Sequence, residues 1–531
     1  MNYSGARRPL RVFWFASIGL VVAIAIAGCG SGSSSNTASG NSTGAGGSSE
    51  AAKPEQGGTL NIAQQEEIEN LNPPEVFLPA DINISSNISE PLWKVNFEEK
   101  LVPWLVEKAD VSKNGKVWTL HLRKGVKFSN GKPLTSADVK FSLDTYRKDQ
   151  VWGPTLEEIS NVEASNPSTV IVTTSKPSPE LPVILSQWSF AIVPDNWGGE
   201  TREAFSSKPI GTGPFMLKEW KHGESFTLVR NPYYWQQGKP YLDAVVGHTV
   251  PDPNSRVAQL KSGELDVIYG QPWAQNEAIE NDSETEVAEV PLGYLKLLTL
   301  NSARPLFKNV KVREAISLAL DREALNEAVL NGAGEPAGSI VPPPIEFYDA
   351  SIKPPAQDMA KAKELLAEAE KEGAPSPTFT LILQRDDFWP AAAQIIQQQL
   401  DEAGFHVNIE TLEISTWLEA VANEEFDATG RIINSALPTP SEVFGLYLGE
   451  NGYNTGSAVA QMQQLMTKAR GEANEKKREQ YYFQMQELVN KEKYIINVVY
   501  APYPWAFRKN VTGLYVGAEG IPYFAETGFT G

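Results

Sequence analysis

At 531 residues the chain exceeds what one ordinary hydrophobic core absorbs, so two or three lobes are expected. Its formal charge of −19 comes without any run or stripe of Lys and Arg, which excludes the electrostatic footprint of a nucleic-acid binder. A single cysteine, Cys29, excludes an internal disulfide and any cysteine-cluster metal site.

The chain opens on targeting segments. Arg7, Arg8 and Arg11 form a basic n-region, and Val12 to Ala27 is an apolar run of signal-peptide length, too short for a membrane span. The run ends Ile26, Ala27, Gly28, Cys29, which resembles a lipobox. That resemblance implies cleavage after residue 28 and diacylglycerol on the Cys29 sulfur, and two acyl chains suffice for stable anchoring. The Arg7–Arg8 pair raises twin-arginine export, although Pro9 and Leu10 fit that pattern poorly. Residues 29–56 are, beyond the cysteine, nearly all Ser, Gly, Asn, Thr and Ala, which cannot bury a core and reads as a flexible tether. Removing the three arginines of residues 1–28 takes the charge from −19 to −22.

The folded body begins near Gly57. Gly58 to Ala63 reads as a strand, and Ser89 to Trp93, in SNISEPLW, as part of a helix. In residues 117–143, Trp118, Leu120 and Leu122 alternate with Thr119, His121 and Arg123, the pattern of a half-buried strand. Asn114-Gly115 and Asn130-Gly131 mark tight turns on either side. Thr135 to Asp138 is a capping-box pattern opening a helix to about Tyr146. The stretch IGTGPFMLKEWKHGESFTLVRNPYYW, residues 210–235, should bend sharply at Gly211 and Gly213, where positive φ is expected, before Pro214. Phe215 to Trp220 and Phe226 to Arg230 then form a hairpin with Lys221 to Glu224 as its turn, and Tyr233, Tyr234 and Trp235 must pack or line a cavity.

Downstream, Val245 to Val250 is a strand, Ser255 to Ser262 a helix closed by Gly263, and Glu264 to Ile268 a strand. Leu295 to Asn301 reads as a connection between domains. Val312, Ala315, Ile316, Ala319 and Leu320 then lie on one helical stripe that ends at Gly332. Met359 to Glu372 is a further amphipathic helix. Phe379 to Leu383, Ala391 to Ala403 and Phe405 to Leu412 form a βαβ unit of a second α/β domain. Ser457 to Lys491 is the last long helix, and Tyr494 to Tyr500 a strand leading back to the first domain.

Motifs of catalysis are missing from the sequence: it has no G-x-S-x-G, no H-E-x-x-H and no P-loop. His121, His222, His248 and His406 lack paired metal spacing, and Gly332, Gly334 and Ala337 mimic a dinucleotide fingerprint only after a helix. The pairs Glu157-Glu158, Asp386-Asp387 and Glu424-Glu425 read as solvated faces more readily than as acid-base pairs. No metal, cofactor or catalytic residue is expected.

Four blocks, residues 117–143, residues 210–235, SGELDVI and NVKVREAISLALDREALNEAVLNG, occur in the order found in extracellular solute-binding protein family 5. The chain resembles that family, the peptide-, nickel- and oligosaccharide-binding components of ABC importers, from about residue 57 to 525. The resemblance implies an α/β fold, a two-domain clamp like the periplasmic binding proteins (type II, the large family-5 form) with a β-rich lobe inserted in the first domain. The expected division is 57–90, 208–298 and 508–531 for the first domain, 91–207 for the lobe and 299–507 for the second domain. It further implies a monomer on the outer face of the cytoplasmic membrane that closes on a small solute, a peptide or an oligosaccharide, and hands it to a membrane permease. A surface-anchored hydrolase and a structural surface protein are the rival classes.

Carried over position by position, the resemblance places Asp81 and Asn83 along the ligand, Trp152 at an aromatic position of the lobe, and Trp389 and Trp417 in the pocket wall of the second domain. Tyr294 and Tyr500 fall near the two domain crossings. Peptide binders of the family carry a Trp and an Asp before a Pro, the Asp pairing with the peptide ammonium. In FDATGRIINSALPTP those two positions are Ile433 and Ala436, around Asn434, so the ordinary ammonium anchor is missing and Asp81 is the candidate substitute.

Overall fold

Residues 54–76, 79–96, 100–288, 294–385, 388–434, 439–448, 459–501, 505–516 and 521–530 are described by the computed structural model. Cys29, tether residues 29–53, Asp386-Asp387 and Ala436 lie outside them; residues 54–56, expected in the tether, belong to the body, where Glu55 N donates to Phe529 O at 3.0 Å and Gln56 Nε2 to Gly238 O at 2.7 Å. The first strand, Thr59–Gln64, runs parallel to Ala244–Thr249 and to Val267–Tyr269. These three sit inside a seven-stranded sheet ordered 285–288, 505–508, 267–269, 59–64, 244–249, 225–230 and 215–221. Its last two strands are the expected hairpin, Phe215–Lys221 and Ser225–Arg230. A second, six-stranded sheet runs 335–336, 495–500, 294–300, 428–434, 378–384 and 406–412. The expected βαβ unit is there, with Thr378–Gln384 parallel to His406–Leu412 around the helix Trp389–Ala403. The lobe is a four-stranded antiparallel sheet, ordered 106–111, 117–122, 169–174 and 159–166, under the helix Ser136–Tyr146. That helix is capped as expected: the Thr135 backbone N–H donates to Asp138 Oδ2 at 2.7 Å, while Asp138 Oδ1 accepts from Asp195 N at 2.8 Å.

Several elements depart from the sequence reading. Ser89 to Trp93 is not helical; the helix lies earlier, at Pro79–Ser85, because Pro91 restricts Glu90 to extended backbone. The stretch Leu295 to Asn301 is no connection: Tyr294–Leu300 is buried along its whole length, with partners on both sides in the second sheet. Trp505–Arg508 sits whole in the first sheet. The crossings therefore fall before Tyr294 and between Tyr500 and Trp505, whereas divisions at 298/299 and 507/508 would cut both strands.

Two long helices are each broken. Val310–Ala319 and Arg322–Leu330 are separated at Leu320, where the Asp321 side chain accepts from Ala324 N at 2.9 Å and starts a new helix. Val459–Gly471 and Glu475–Glu492 are separated likewise, with Asn474 accepting from Lys477 N at 3.1 Å. The strand expected over Glu264 to Ile268 is Val267–Tyr269, because Glu264 and Leu265 donate their N–H groups back to Gln259 O and close the preceding helix.

Gly211 and Gly213 do not adopt positive φ; space makes them glycines instead. Residues 211–215 run beside 87–89, with Gly213 N donating to Ile88 O at 2.8 Å and Phe215 N to Asn87 O at 3.1 Å. A Cβ on Gly211 would stand 1.9 Å from Ile88 O, and one on Gly213 2.6 Å from Asn87 O. At this close approach Glu90 becomes the junction of lobe and first domain. Its Oε1 accepts from Trp104 Nε1 at 2.8 Å and the Tyr234 hydroxyl at 3.2 Å. Its Oε2 accepts from Thr212 Oγ1 at 2.9 Å and Trp235 Nε1 at 3.0 Å. Tyr234 and Trp235 of the expected aromatic cluster thus pack on a buried carboxylate. Burial pushes its pKa up, and the Trp104, Trp235 and Thr212 donors pull it back.

Gly211→Ala is expected to destabilise by roughly 3 kcal/mol or more, because the Ile88 carbonyl that a Cβ would meet first is backbone and not a flexible side chain. Gly471→Ala, with nothing within 4 Å of its Cβ, should stay within about 1 kcal/mol of the native protein. Urea midpoints of the two variants check this; equal midpoints would show that the 211 backbone relaxes freely.

Candidate functional site

The carboxyl ends of parallel strands are where an open α/β sheet leaves side chains facing a crevice. Gln64 ends Thr59–Gln64 and Tyr269 ends Val267–Tyr269; Ile62 pairs with Val267, which sets Gln64 level with Tyr269. Trp505, the first residue of the neighbouring antiparallel strand, pairs with Tyr269. The three form a row across adjacent strands, on the face that Leu60, Ile62 and Val267 also occupy. Tyr269 donates its hydroxyl to Gln64 Oε1 at 3.0 Å, and its ring centroid lies 5.1 Å from that of Trp505.

The opposing wall comes from the second sheet. Tyr294 and Ile432 share one buried apolar cluster with Tyr269 and Trp505, and Trp273 of the first domain packs against the core of the second. Lys296 lies on the same strand face as Tyr294 and is buried with its Nζ 5.1 Å from the Phe388 ring centroid. Between the lobe and the second domain, the Tyr482 hydroxyl donates to Glu180 Oε1 at 2.6 Å. The Tyr482 ring lies near-parallel between Phe347 and Phe444, which fixes the direction of that hydroxyl.

Within this seam some polar atoms are buried without a protein partner among the described residues. They are Gln64 Nε2, Trp505 Nε1 and Gln271 Oε1, the last two residues beyond Tyr269. Gln64 and Gln271 are 2% exposed and Trp505 3%, so bulk solvent does not reach them. Each such atom costs about 1–3 kcal/mol unless a further group meets it.

The residues singled out from the sequence are distributed differently. Tyr294 lies at the seam. Trp389 packs on Gly430, where a Cβ would come within 2.8 Å of its ring, and Trp417 donates its indole N–H to Thr429 Oγ1 at 2.9 Å. Thr429 and Gly430 are successive strand residues, so Trp389 and Trp417 occupy opposite faces of the second sheet, both fully buried. Tyr500 pairs with Leu295 and therefore faces away from Tyr294; its hydroxyl donates to Ser339 O at 2.7 Å and accepts from Ser339 N at 3.0 Å. Trp152 donates to Pro74 O at 3.0 Å and meets Trp188 and Phe190 edge-on, a packing role between lobe and first domain. Asn434 pairs through its backbone with Tyr294. Ile433 is in the core on the Trp417 side.

Asp81 and Asn83 are both buried on the helix Pro79–Ser85. Asp81 Oδ1 accepts the N–H groups of Glu69 at 2.6 Å and Asn70 at 3.3 Å, so it fastens the turn after the first strand. Burial raises its pKa to about 7, against those two bonds and with help from Glu69 and Glu66. Asn83 Oδ1 is buried without a partner among the described residues. Gln64, Tyr269, Gln271 and Trp505 escaped the sequence reading; only the position of Gln64 and Tyr269 at strand carboxyl ends could have flagged them.

A groove of about 710 Å³ on the lobe, lined in part by Lys140, Phe141, Asp144, Lys148 and Arg202, lies apart from this seam. Two of its three cations are already engaged, Lys140 with Asp144 and Arg202 with Glu75 and Asp149, and none of its lining residues has a buried polar atom without a partner, which leaves the seam as the better candidate. No group of three or more His, Cys, Asp or Glu among the described residues could hold a metal ion.

Because the folded state raises the Asp81 pKa, its protonated form is the favoured one. The associated stability is fully present below the usual aspartate range and is lost as pH rises through about 7. Asp81→Asn, which keeps an acceptor for the two N–H groups, should exceed the native protein in stability by roughly 2–4 kcal/mol at pH 8 and match it near pH 4. Thermal melts across that range check it; equal melting at pH 8 would place the carboxylate in a site that holds it ionised.

The model of the bacterial extracellular solute-binding proteins, family 5, matches residues 100–455. The glutathione-binding protein GsiB of Escherichia coli K12 is 30% identical over 339 residues, 62% of this chain and 65% of that protein. The chain thus spans less than two thirds of the length of the curated relatives it matches. Among solved structures, the oligopeptide-binding protein AppA of Bacillus subtilis, in complex with a nonapeptide, is 26% identical with a TM-score of 0.76, over 90% of this chain and 100% of that one. AgaA of A. tumefaciens R10, in complex with agropinic acid, is 26% identical with a TM-score of 0.77, over 89% and 99%.

Proposed function

The chain belongs to the bacterial extracellular solute-binding proteins of family 5, and from that premise we propose that it captures a small organic solute between its two domains outside the cytoplasmic membrane and delivers it to an ABC importer. The observation that carries this reading is the buried polar row of Gln64, Tyr269 and Trp505, set against Tyr294 and Ile432 of the other domain. Two sheets joined by two strand crossings can part and close as rigid bodies, and the free energy of closure then comes from contacts the solute makes in the closed state alone. The reading uses no covalent step and no cofactor. Relatives named for glutathione and for oligopeptides make a peptide the default solute, whereas AgaA, with agropinic acid, widens the class beyond peptides. Ala436 stands where peptide binders carry the carboxylate for the ammonium, which favours the wider class.

Anchoring completes the reading: a lipid on Cys29 and a tether over residues 29–53 would hold the body near its permease, as a monomer. Cys29→Ala should move the protein from the membrane fraction to the soluble fraction with its melting temperature unchanged. A variant that stayed in the membrane fraction would contradict lipid anchoring.

The mature body should contract when its solute is added, and its melting temperature should rise with solute concentration by mass action. Small-angle scattering and thermal melts read both. A peptide and oligosaccharide library that left the radius of gyration and the melting temperature unchanged would count against capture.

A further inference from the structure

Closure by itself does not say which chemical group the cleft holds, but the chemistry of the unpartnered atoms does. Gln64 Nε2 and Trp505 Nε1 are neutral donors, and Gln271 Oε1 is a neutral acceptor. The assignment of the Gln64 amide follows from Tyr269, whose hydroxyl occupies Oε1 and leaves the amino side. Gln271 Nε2 in turn donates to Asn276 Oδ1 at 3.3 Å and leaves its carbonyl side. Gln64 and Trp505 flank Tyr269 on neighbouring strands, so the three side chains stand side by side at the domain seam. The opposing wall carries a cation, Lys296, two residues from Tyr294 on the same strand face.

We infer that this row is the subsite for the buried end of the solute, and that it selects an uncharged oxygen-bearing group, an amide or a hydroxylated ring, over an ammonium group. The inference rests on the solute-capture reading. An amide or a hydroxylated ring offers oxygen acceptors to Gln64 and Trp505 and an N–H or O–H to Gln271, so every unpartnered atom is met. An ammonium group offers donors to donors and brings a second positive charge towards Lys296. Asp81 Oδ1 is already engaged by Glu69 N and Asn70 N, so that oxygen is closed to an ammonium group. Trp505 also supplies a ring face beside Tyr269 for the apolar side of the solute.

The test compares one set of N-acetylated dipeptide amides with the same dipeptides bearing free termini and with maltotriose, by thermal shift and calorimetry on the mature chain. At least one of the two neutral classes should bind, and a peptide that binds in capped form should bind at least about tenfold more weakly with a free ammonium. Which neutral class responds separates the amide from the hydroxylated ring. Free dipeptides that bind as tightly as capped ones would overturn the subsite and leave capture intact. No response and no contraction with any probe would overturn capture itself. A second measurement needs no solute. Trp505→Phe keeps a ring and removes an unpartnered N–H, so the unliganded protein should melt at the same temperature or higher, while the responding neutral probe binds about tenfold more weakly. A fall in the unliganded melting temperature with affinity unchanged would show that the indole N–H serves the fold, and the inference would fail.

Discussion

Four donors from distant parts of the chain end on the carboxylate of Glu90, and the placement of the lobe on the first domain depends on that convergence. Thr212 arrives from the turn before the hairpin, Tyr234 and Trp235 from the segment after it, and Trp104 from the lobe. The arrangement needs residues 211–215 to lie directly on the 87–89 backbone, which is why glycine stands at 211 and 213. Asn87 extends the same junction to the end of the chain, donating to Pro522 O at 2.7 Å and accepting from Phe524 N at 2.9 Å. A first domain built from three separate stretches is thus tied together next to the crevice it lines. A buried carboxylate left with fewer donors would carry its desolvation cost uncompensated, so these contacts stand or fall together.

From that base the geometry of the cleft follows. The first sheet is fixed under the helix Pro79–Ser85, and its strand ends present Gln64, Tyr269 and Trp505. The second sheet answers with Tyr294, Lys296 and Ile432 on one face of two neighbouring strands. The bond from Tyr482 to Glu180 ties the lobe to the second domain, away from the strand crossings that join the domains through the backbone. One side of the seam is therefore held covalently and another by a phenol whose ring is already fixed by its neighbours.

Much of this was legible in local patterns and little of it in the site. Alternation in residues 117–122, the hairpin after Pro214 and the βαβ unit were readable because each is decided by neighbours in sequence. The breaks at Leu320 and before Glu475 were hidden because the apolar stripe runs on across them, and a capping Asp or Asn decides the matter in one residue. Resemblance supplied the family and offered Trp389 and Trp417 as two ligand-facing positions of the second domain; successive residues of one strand, Thr429 and Gly430, hold them on opposite faces of its sheet. The polar row was unreadable for a different reason. Gln64 and Tyr269 are 205 positions apart and meet through strand order alone, which no spacing rule encodes.

The central claim is that a small solute is held between the two sheets. Native mass spectrometry of the mature protein, purified from its own cytoplasm-free extract without denaturation, tests it most directly. The account predicts one small organic mass retained per chain, released when the protein is unfolded. Spectra that hold only the bare chain, under conditions in which noncovalent complexes of known binding proteins survive, would contradict it.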